Sequence, residues 1–382
     1  MINNILIKKS KVFFRQTWVE IDKSDFHFNL KNIKKHIAKN IKIMAVLKNN
    51  AYGHGGIIIA KEAQKSSVQW IAVSSLEEGI ELRDAGIKTN ILILERIFPS
   101  TNFQVAVAHS LTATISTMLD FVALEKLAIR LNKKIDFHLK IDTGMGRIGI
   151  QPDLSYSLLN KISKTNVVNM TGIYTHYSVA DIDPLYTKIQ FNIFIKIVKF
   201  ARLKLKLKFI AHSANSAAFI KNKMTHLDMI RPGSVIYGMN PFKQMYNFLK
   251  FKPVLSWKTK IIFLKKVASG FCISYGRTFV TNKLSVIATI PVGYGDGYNR
   301  LLSNKAFVLV RGKRCQILGK ITMNSTMIDV TGVKGICIGD EVVLIGIQNK
   351  EQIKVDELAK IQDTINNEIT SSISSNIPRI IV

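Results

Sequence analysis

Between residues 42 and 238, short apolar runs rich in β-branched residues recur eight times, with helical spacing in the stretches between them. The runs are KIMAVLK (42–48), WIAVSS (70–75), NILILE (90–95), LTATIST (111–117), KIDFHLKID (134–142), MTGIYTHYS (170–178), FIAHSANS (209–216) and MIRPGSVIYG (229–238). Runs of this length and composition read as buried strands. The segments LEEGIELRDAG (76–86), MLDFVALEKLAIRLNKK (118–134) and LYTKIQFNIFIKIVKFARLK (185–204) repeat apolar residues every three to four positions and read as helices. Eight strand-helix alternations predict an α/β fold, a (β/α)8 TIM-type barrel over residues 17–250. After about residue 250 closely spaced β-branched runs with turn residues take over, among them LSVIATIPVGYGDGY, AFVLVRGKRCQILGKITM and DEVVLIG. They predict a mostly β C-terminal domain over 251–382; the early strand TWVEID (17–22) fits either domain.

Composition narrows the class. With 382 residues, 47% of them hydrophobic, the chain can bury one large core or two ordinary ones. It has no run of apolar residues long enough to span a bilayer and no apolar leader with a small-residue cleavage site, so a soluble cytoplasmic protein is expected. Cys272, Cys315 and Cys337 are far apart and form no metal-ligand pattern, so neither a disulfide framework nor a metal site is expected. The net charge of +28 raises a polyanion as partner, but the lysines are scattered along the whole chain and form no stripe interleaved with aromatics. Solvated lysine faces are the expectation, with no specific nucleic acid and no membrane as partner.

In a barrel, chemistry gathers where strands end. Lys48 closes the first run and is followed by Asn49-Asn50-Ala51-Tyr52-Gly53-His54-Gly55. A desolvated amine there can condense with an aldehyde, two glycines allow close backbone approach and a tyrosine hydroxyl can donate to phosphate. An exposed strand terminus is the competing account of Lys48. Ser216, beside Asn215, and Gly233 offer a hydroxyl and an unshielded N–H to an anion, or are a loop serine and a turn glycine. Arg231 within an apolar run needs a planar acceptor: an aromatic ring nitrogen with an imidazole such as His176 beside it, or a salt bridge to Asp228. The loop Asp142-Thr143-Gly144-Met145-Gly146-Arg147 is a polar connection or one that aims Arg147 at a ligand. Tyr275, in ISYGRTF, sits on a tight turn two residues before Arg277, where a phenol either acts as a base or packs at an interface.

Taken together, AVLKNNAYGHG, HLKIDTGMGRIG, GIYTHYSVAD, HSANSAA, DMIRPGSVIYGMNP, ISYGRTF and PVGYGDGY resemble, in order, the motifs of the alanine racemase family, from TWVEID to NIPR at 376–379. The resemblance implies an isomerase dependent on pyridoxal 5'-phosphate (PLP) that supplies D-alanine for peptidoglycan, working as a homodimer with active sites shared between subunits. It implies that Lys48 holds PLP, that Tyr52, Ser216, Gly233 and Ser234 bind its phosphate with Asn215 alongside, and that Arg231, supported by His176, faces the pyridine nitrogen. Arg147 is implied to position the ring oxygen and the substrate carboxylate, and Lys140 matches a lysine carbamylated in some members. Tyr275, supplied by the partner subunit, is the implied second acid/base group, with Tyr294, Arg300 and Met323 lining the substrate entrance. Three residues depart from the family pattern: Asn49 for alanine, Asn324 for aspartate and Asn367 for a phosphate-contacting tyrosine. Loss of that phenol implies weaker PLP retention, and the charge lost at Asn324 leaves a broader or different racemase, for serine or lysine, as an alternative. A PLP-binding protein without turnover is another.

Overall fold

The alternation closes into a ring. The computed structural model describes residues 16–241 and 249–382. Its chain opens with β1 (Thr17–Ile21) and then forms β2 (Lys42–Val46), β3 (Trp70–Val73), β4 (Asn90–Arg96), β5 (Thr112–Ile115), β6 (Ile135–Lys140), β7 (Val168–Tyr174), β8 (Ile210–His212) and β9 (Met229–Ile230). Strands β2 to β9 form a closed barrel, each parallel to the next, and β9 returns to β2 through Lys42↔Met229 and Ile43↔Ile230. Closure leaves no free edge, and helices outside require strands apolar on both faces. Trp70 to Val73 and Ile91 to Ile93 are accordingly buried without a break. Helix starts follow local chemistry: Ser75 caps Leu76–Asp84 and Thr117 caps Met118–Leu131 by accepting from the N–H three residues on. Asp183 caps Pro184–Lys199, which opens on the proline.

The eighth run departs most from expectation, since only Met229 and Ile230 pair as strand. Pro232 has no N–H to give a ladder, and the chain coils into a tight turn over Ser234–Tyr237. Gly238 ends that turn at φ +71°, where an added Cβ would lie 1.9 Å from the Lys252 carbonyl oxygen. The long predicted helix 185–204 also changes character, its last turn Phe200–Lys204 widening to π-type geometry.

The chain divides into two compact units, Lys23–Val254 and a second that ends at Asp22 and resumes over Leu255–Val382. The second unit is built on β10 (Leu255–Lys260), β11 (Phe263–Val267), β12 (Cys272–Ile273), β13 (Phe279–Val280), β14 (Ser285–Ile290), β15 (Phe307–Val310), β16 (Lys313–Leu318), β17 (Thr326–Asp329), β18 (Glu341–Gln348), β19 (Glu351–Ile353) and β20 (Arg379–Ile381). Its main sheet runs β11-β14-β17-β16-β15-β18-β10-β1-β20, with β19 on β18, while β12 and β13 form a separate hairpin. β1 lies antiparallel to β10 and parallel to β20. No helix among the described residues is long and apolar enough to cross a membrane.

Candidate active site

Every strand-end residue singled out in the barrel unit lies at or just past the C-terminal end of its strand. After Lys48 the backbone enters a left-handed turn: Asn49, Asn50, Ala51 and Tyr52 have φ of +51°, +52°, +54° and +54°. Such residues cost about 1–2 kcal/mol each and persist only when surroundings fix them. Here Ala51 N–H donates to Leu47 O and Gly53 N–H to Asn49 O, at 2.8 and 3.0 Å. The Glu78 carboxylate accepts from the N–H groups of Asn50 and Ser74. Gly53 and Gly55 continue at φ +82° and +97°, so both serve the path of the chain. Asn at 49 tolerates this region better than the family's alanine.

The turn carries Tyr52 inward. An added Cβ on Gly233 would lie 2.7 Å from the Tyr52 hydroxyl, and the Gly233 N–H donates to Ser216 Oγ at 2.9 Å. A phenol, a hydroxyl and a backbone N–H therefore face one small space, with buried Ser234 next in sequence. Asn215 caps the short helix Ser216–Lys221, its Oδ1 accepting from Ala218 N–H at 3.0 Å. Burial raises the Tyr52 hydroxyl well above its ordinary value, so it stays a donor.

Burial first, then Arg147, lowers the Lys48 amine from its ordinary value, against the opposing pull of Glu95 and Glu78. Lys140 ends β6, buried, and burial first, then Arg147, bring it down to about 7. Arg147 is held by its loop: the Asp142 carboxylate accepts from the N–H groups of Gly144, Met145 and Gly146 at 3.0, 2.9 and 3.0 Å. Thr143 and Thr175 hydroxyls tie that loop to the end of β7 at 2.7 Å. His176 is lowered well below its ordinary value by burial and then by Arg231, and remains neutral.

Arg231 is buried and bound on three sides. Its Nη1 donates to His212 Nδ1 at 3.1 Å, and Nη2 donates to the carbonyls of Thr175 and Ser213 at 2.7 and 3.0 Å. The imidazole that bonds it is thus His212 rather than His176, because His212 ends β8, the strand paired directly with β9. The salt bridge to Asp228 does not form; that carboxylate is taken by Arg202 and by Ala211 N–H. Tyr174 organises the surroundings, stacking on His212 with ring centres 4.8 Å apart and standing 5.3 Å from Arg231 Cζ and 5.4 Å from Lys140 Nζ. Tyr174 and Glu95 were not marked by the sequence, since each sits inside an apolar run.

In the β unit, Tyr275 is on the turn between β12 and β13 and is 71% exposed. Ser274, Gly276 and Arg277 around it have φ of +63°, +71° and +49°, and Ser274 Oγ donates to Lys320 O. Tyr294 and Met323, both exposed, lie on adjoining segments: Tyr294 N–H donates to Thr322 O and Gly295 N–H to Met323 O at 3.0 and 2.9 Å. A Cβ on Gly293 would meet Thr322 O at 2.2 Å, which explains the glycine. Exposed Arg300 begins the following short turn, Arg300–Leu302.

The comparisons agree over nearly all of the chain. The family model described as alanine racemase, N-terminal domain, matches residues 21–241, and that for the C-terminal domain matches 254–381. The alanine racemase of Halothermothrix orenii is 42% identical over 372 residues, covering 97% of this chain and 98% of its own. Alanine racemase 1 of Caldanaerobacter subterraneus subsp. tengcongensis is 42% identical over 371 residues, covering 96% and 95%. Among solved structures, alanine racemase from Clostridium difficile 630 superposes with a TM-score of 0.91 at 33% identity, covering 97% of each chain. Alanine racemase from Bacillus anthracis with bound L-Ala-P gives 0.90 at 34% identity, covering 97% and 96%.

Proposed function

The chain belongs to the alanine racemase family, and from that premise we propose that it interconverts L- and D-alanine with PLP, using Lys48 and Tyr275 as opposed acid/base groups. The observation that carries the reading is the barrel mouth itself: a lysine with a lowered pKa beside a cradle of Tyr52, Ser216 and Gly233 that a side chain at 233 would fill. This donor set fits a phosphate, and an amine lowered by burial fits an aldehyde.

Bound there, PLP would supply the electron sink for the charge left at the α-carbon. Everything else falls to the protein. Tyr52, Ser216 and the Gly233-Ser234 backbone hold the phosphate, with Asn215 shaping the helix start beneath it. Arg231, a cation already fixed by His212 and two carbonyls, would serve the ring nitrogen and disfavour a proton there. His176, kept neutral, adds no second charge there. Arg147 orients the substrate carboxylate, and Lys140 is the partner that steadies it. Only an unprotonated amine takes up carbon dioxide, and a lysine at about 7 is roughly half neutral at pH 7, so Lys140 is suited to carbamylation. Lys48 Nζ moves the proton on one face of the substrate carbon. Tyr275 Oη, brought by a second copy of the chain in a homodimer, moves it on the other, with Tyr294, Arg300 and Met323 lining the approach. The setting is the cytoplasm and the product feeds peptidoglycan synthesis. The L-Ala-P in the B. anthracis structure supports alanine as the substrate class. Asn324 motivates a second reading, a broader racemase that also accepts serine.

The test is the absorbance spectrum of purified protein with PLP, wild type beside Lys48→Ala, followed by chiral analysis after incubation with L-alanine and L-serine. A Lys48-dependent visible band with D-alanine formed faster than D-serine is expected. Faster D-serine would keep the chemistry and overturn the substrate. A band without inversion of either would leave a PLP-binding protein, and no band would overturn the cofactor.

A further inference from the structure

One buried titratable group takes no part in the site as described. His138 lies in β6, fully buried, two residues before Lys140 and so on the same inward face one layer lower. Barrel interiors are normally filled by branched apolar side chains. The imidazole is accommodated because its register partner on β7 is Gly172, where an added Cβ would come within 2.5 Å of the ring. Passing over that glycine, His138 Nδ1 meets His212 Nε2 on β8 at 3.0 Å, and His212 Nδ1 meets Arg231 Nη1 at 3.1 Å. Trp70 packs against the His138 ring, with centres 4.7 Å apart, and Tyr174 against His212.

The proton positions in this chain follow from one end. A guanidinium can only donate, so His212 must accept at Nδ1 and carry its proton on Nε2. It then donates to His138 Nδ1, which places the His138 proton on Nε2, a buried atom with no hydrogen-bond partner. Leaving that N–H unbonded is costly, and a phenylalanine of similar volume would avoid the cost. Protonating either ring would set two N–H groups against each other; burial, then Arg231, pushes His138 down to about 3, which keeps it neutral.

We propose that His138 is a positioning residue for Arg231: by accepting from His212 Nε2 it fixes the His212 tautomer that receives Arg231 Nη1, and so holds the guanidinium in place. Its catalytic consequence rests on the reading above that Arg231 serves the cofactor.

The experiment is nitrogen NMR of the histidine rings in purified protein, combined with kinetics of His138→Phe, which removes the acceptor, and His138→Asn, which restores one near the Nδ1 position. The expected result is Nε2–H for both His138 and His212 in the wild type at about pH 7. His138→Phe should mix the His212 tautomers and lower kcat roughly tenfold with KM for alanine little changed, and His138→Asn should recover most of both. Nδ1–H on wild-type His212, or unaltered tautomer and kcat in His138→Phe, would overturn the proposal. If the phenylalanine variant does not fold, the wild-type spectrum and the asparagine variant still decide. Arg231→Lys separates the premises: an unchanged visible band and unchanged kcat there would refute the cofactor role of Arg231, and with it the catalytic role of His138, whatever the tautomers show.

Discussion

Lys48 and Tyr275 have opposite surroundings. Lys48 is desolvated by burial and feels the charges of Arg147, Glu95 and Glu78, which together set its proton affinity. Tyr275 is 71% exposed on the turn of a two-stranded hairpin whose backbone is held in left-handed conformations. The barrel mouth therefore carries its chemical environment with it, whereas the hairpin presents a well-placed phenol whose environment comes from whatever covers it. If the two act as the proposed acid/base pair, turnover would depend on the assembly of two copies, while cofactor binding would stay mainly a property of the barrel.

Lys48→Ala sharpens that contrast most. On the proposed roles it would remove both the amine that holds the cofactor and one of the two proton carriers, so racemisation should fall by roughly 10³-fold or more and the visible band should vanish. A band that survived would place the cofactor elsewhere. Gly233→Ala should come next, since its methyl would lie 2.7 Å from the Tyr52 hydroxyl and displace it. Overpacking of this kind should weaken PLP retention about tenfold, measured by equilibrium dialysis, with kcat at saturating cofactor less affected. Unchanged retention would remove Tyr52 from the phosphate site.

The smallest effect on turnover is also the most diagnostic of burial. Lys140 is lowered from 10.5 to about 7 in the folded chain. Between those values the unfolded chain holds a proton that the folded one lacks, so stability rises with pH across the window, and below about 7 the full cost of burying a cation is present. Lys140→Met should therefore melt above the wild type by the widest margin near pH 6, the gap closing as pH approaches 10, in buffers freed of carbon dioxide. A gap independent of pH would show that Lys140 is hydrated in the folded protein.

The barrel class was legible because eight apolar runs and the helices between them obey different periods, and each run maps onto one strand of the closed ring. The runs overreach the strands at 47–48, 175–178 and 213–216, because a polar residue that leaves a strand to form the mouth looks like its continuation in sequence. MIRPGSVIYG misled further: its apolar residues are buried in a turn, and Pro232 was the available signal. Lys48 and Ser216 stood out as polar residues at strand ends, Arg147 as part of a polar loop and Arg231 as a guanidinium within an apolar run. The partner of Arg231 was not legible: the hydrogen bond assigned to His176 is taken by His212, which ends the strand paired with β9. His138 was hidden in an apolar run, although Gly172 inside a strand run was a sign of close approach by another group. The left-handed path from Asn49 to Tyr52 was invisible, since only its glycines advertise positive φ.

The central claim is that two groups on opposite faces share the proton transfers, and it is tested most directly by Tyr275→Phe with PLP and alanine in deuterated water. The account predicts that one enantiomer still exchanges its α-hydrogen for deuterium with retention, through Lys48, while inversion falls roughly 10²–10⁴-fold. Inversion at the wild-type rate would show that Tyr275 moves no proton and that a single group serves both faces.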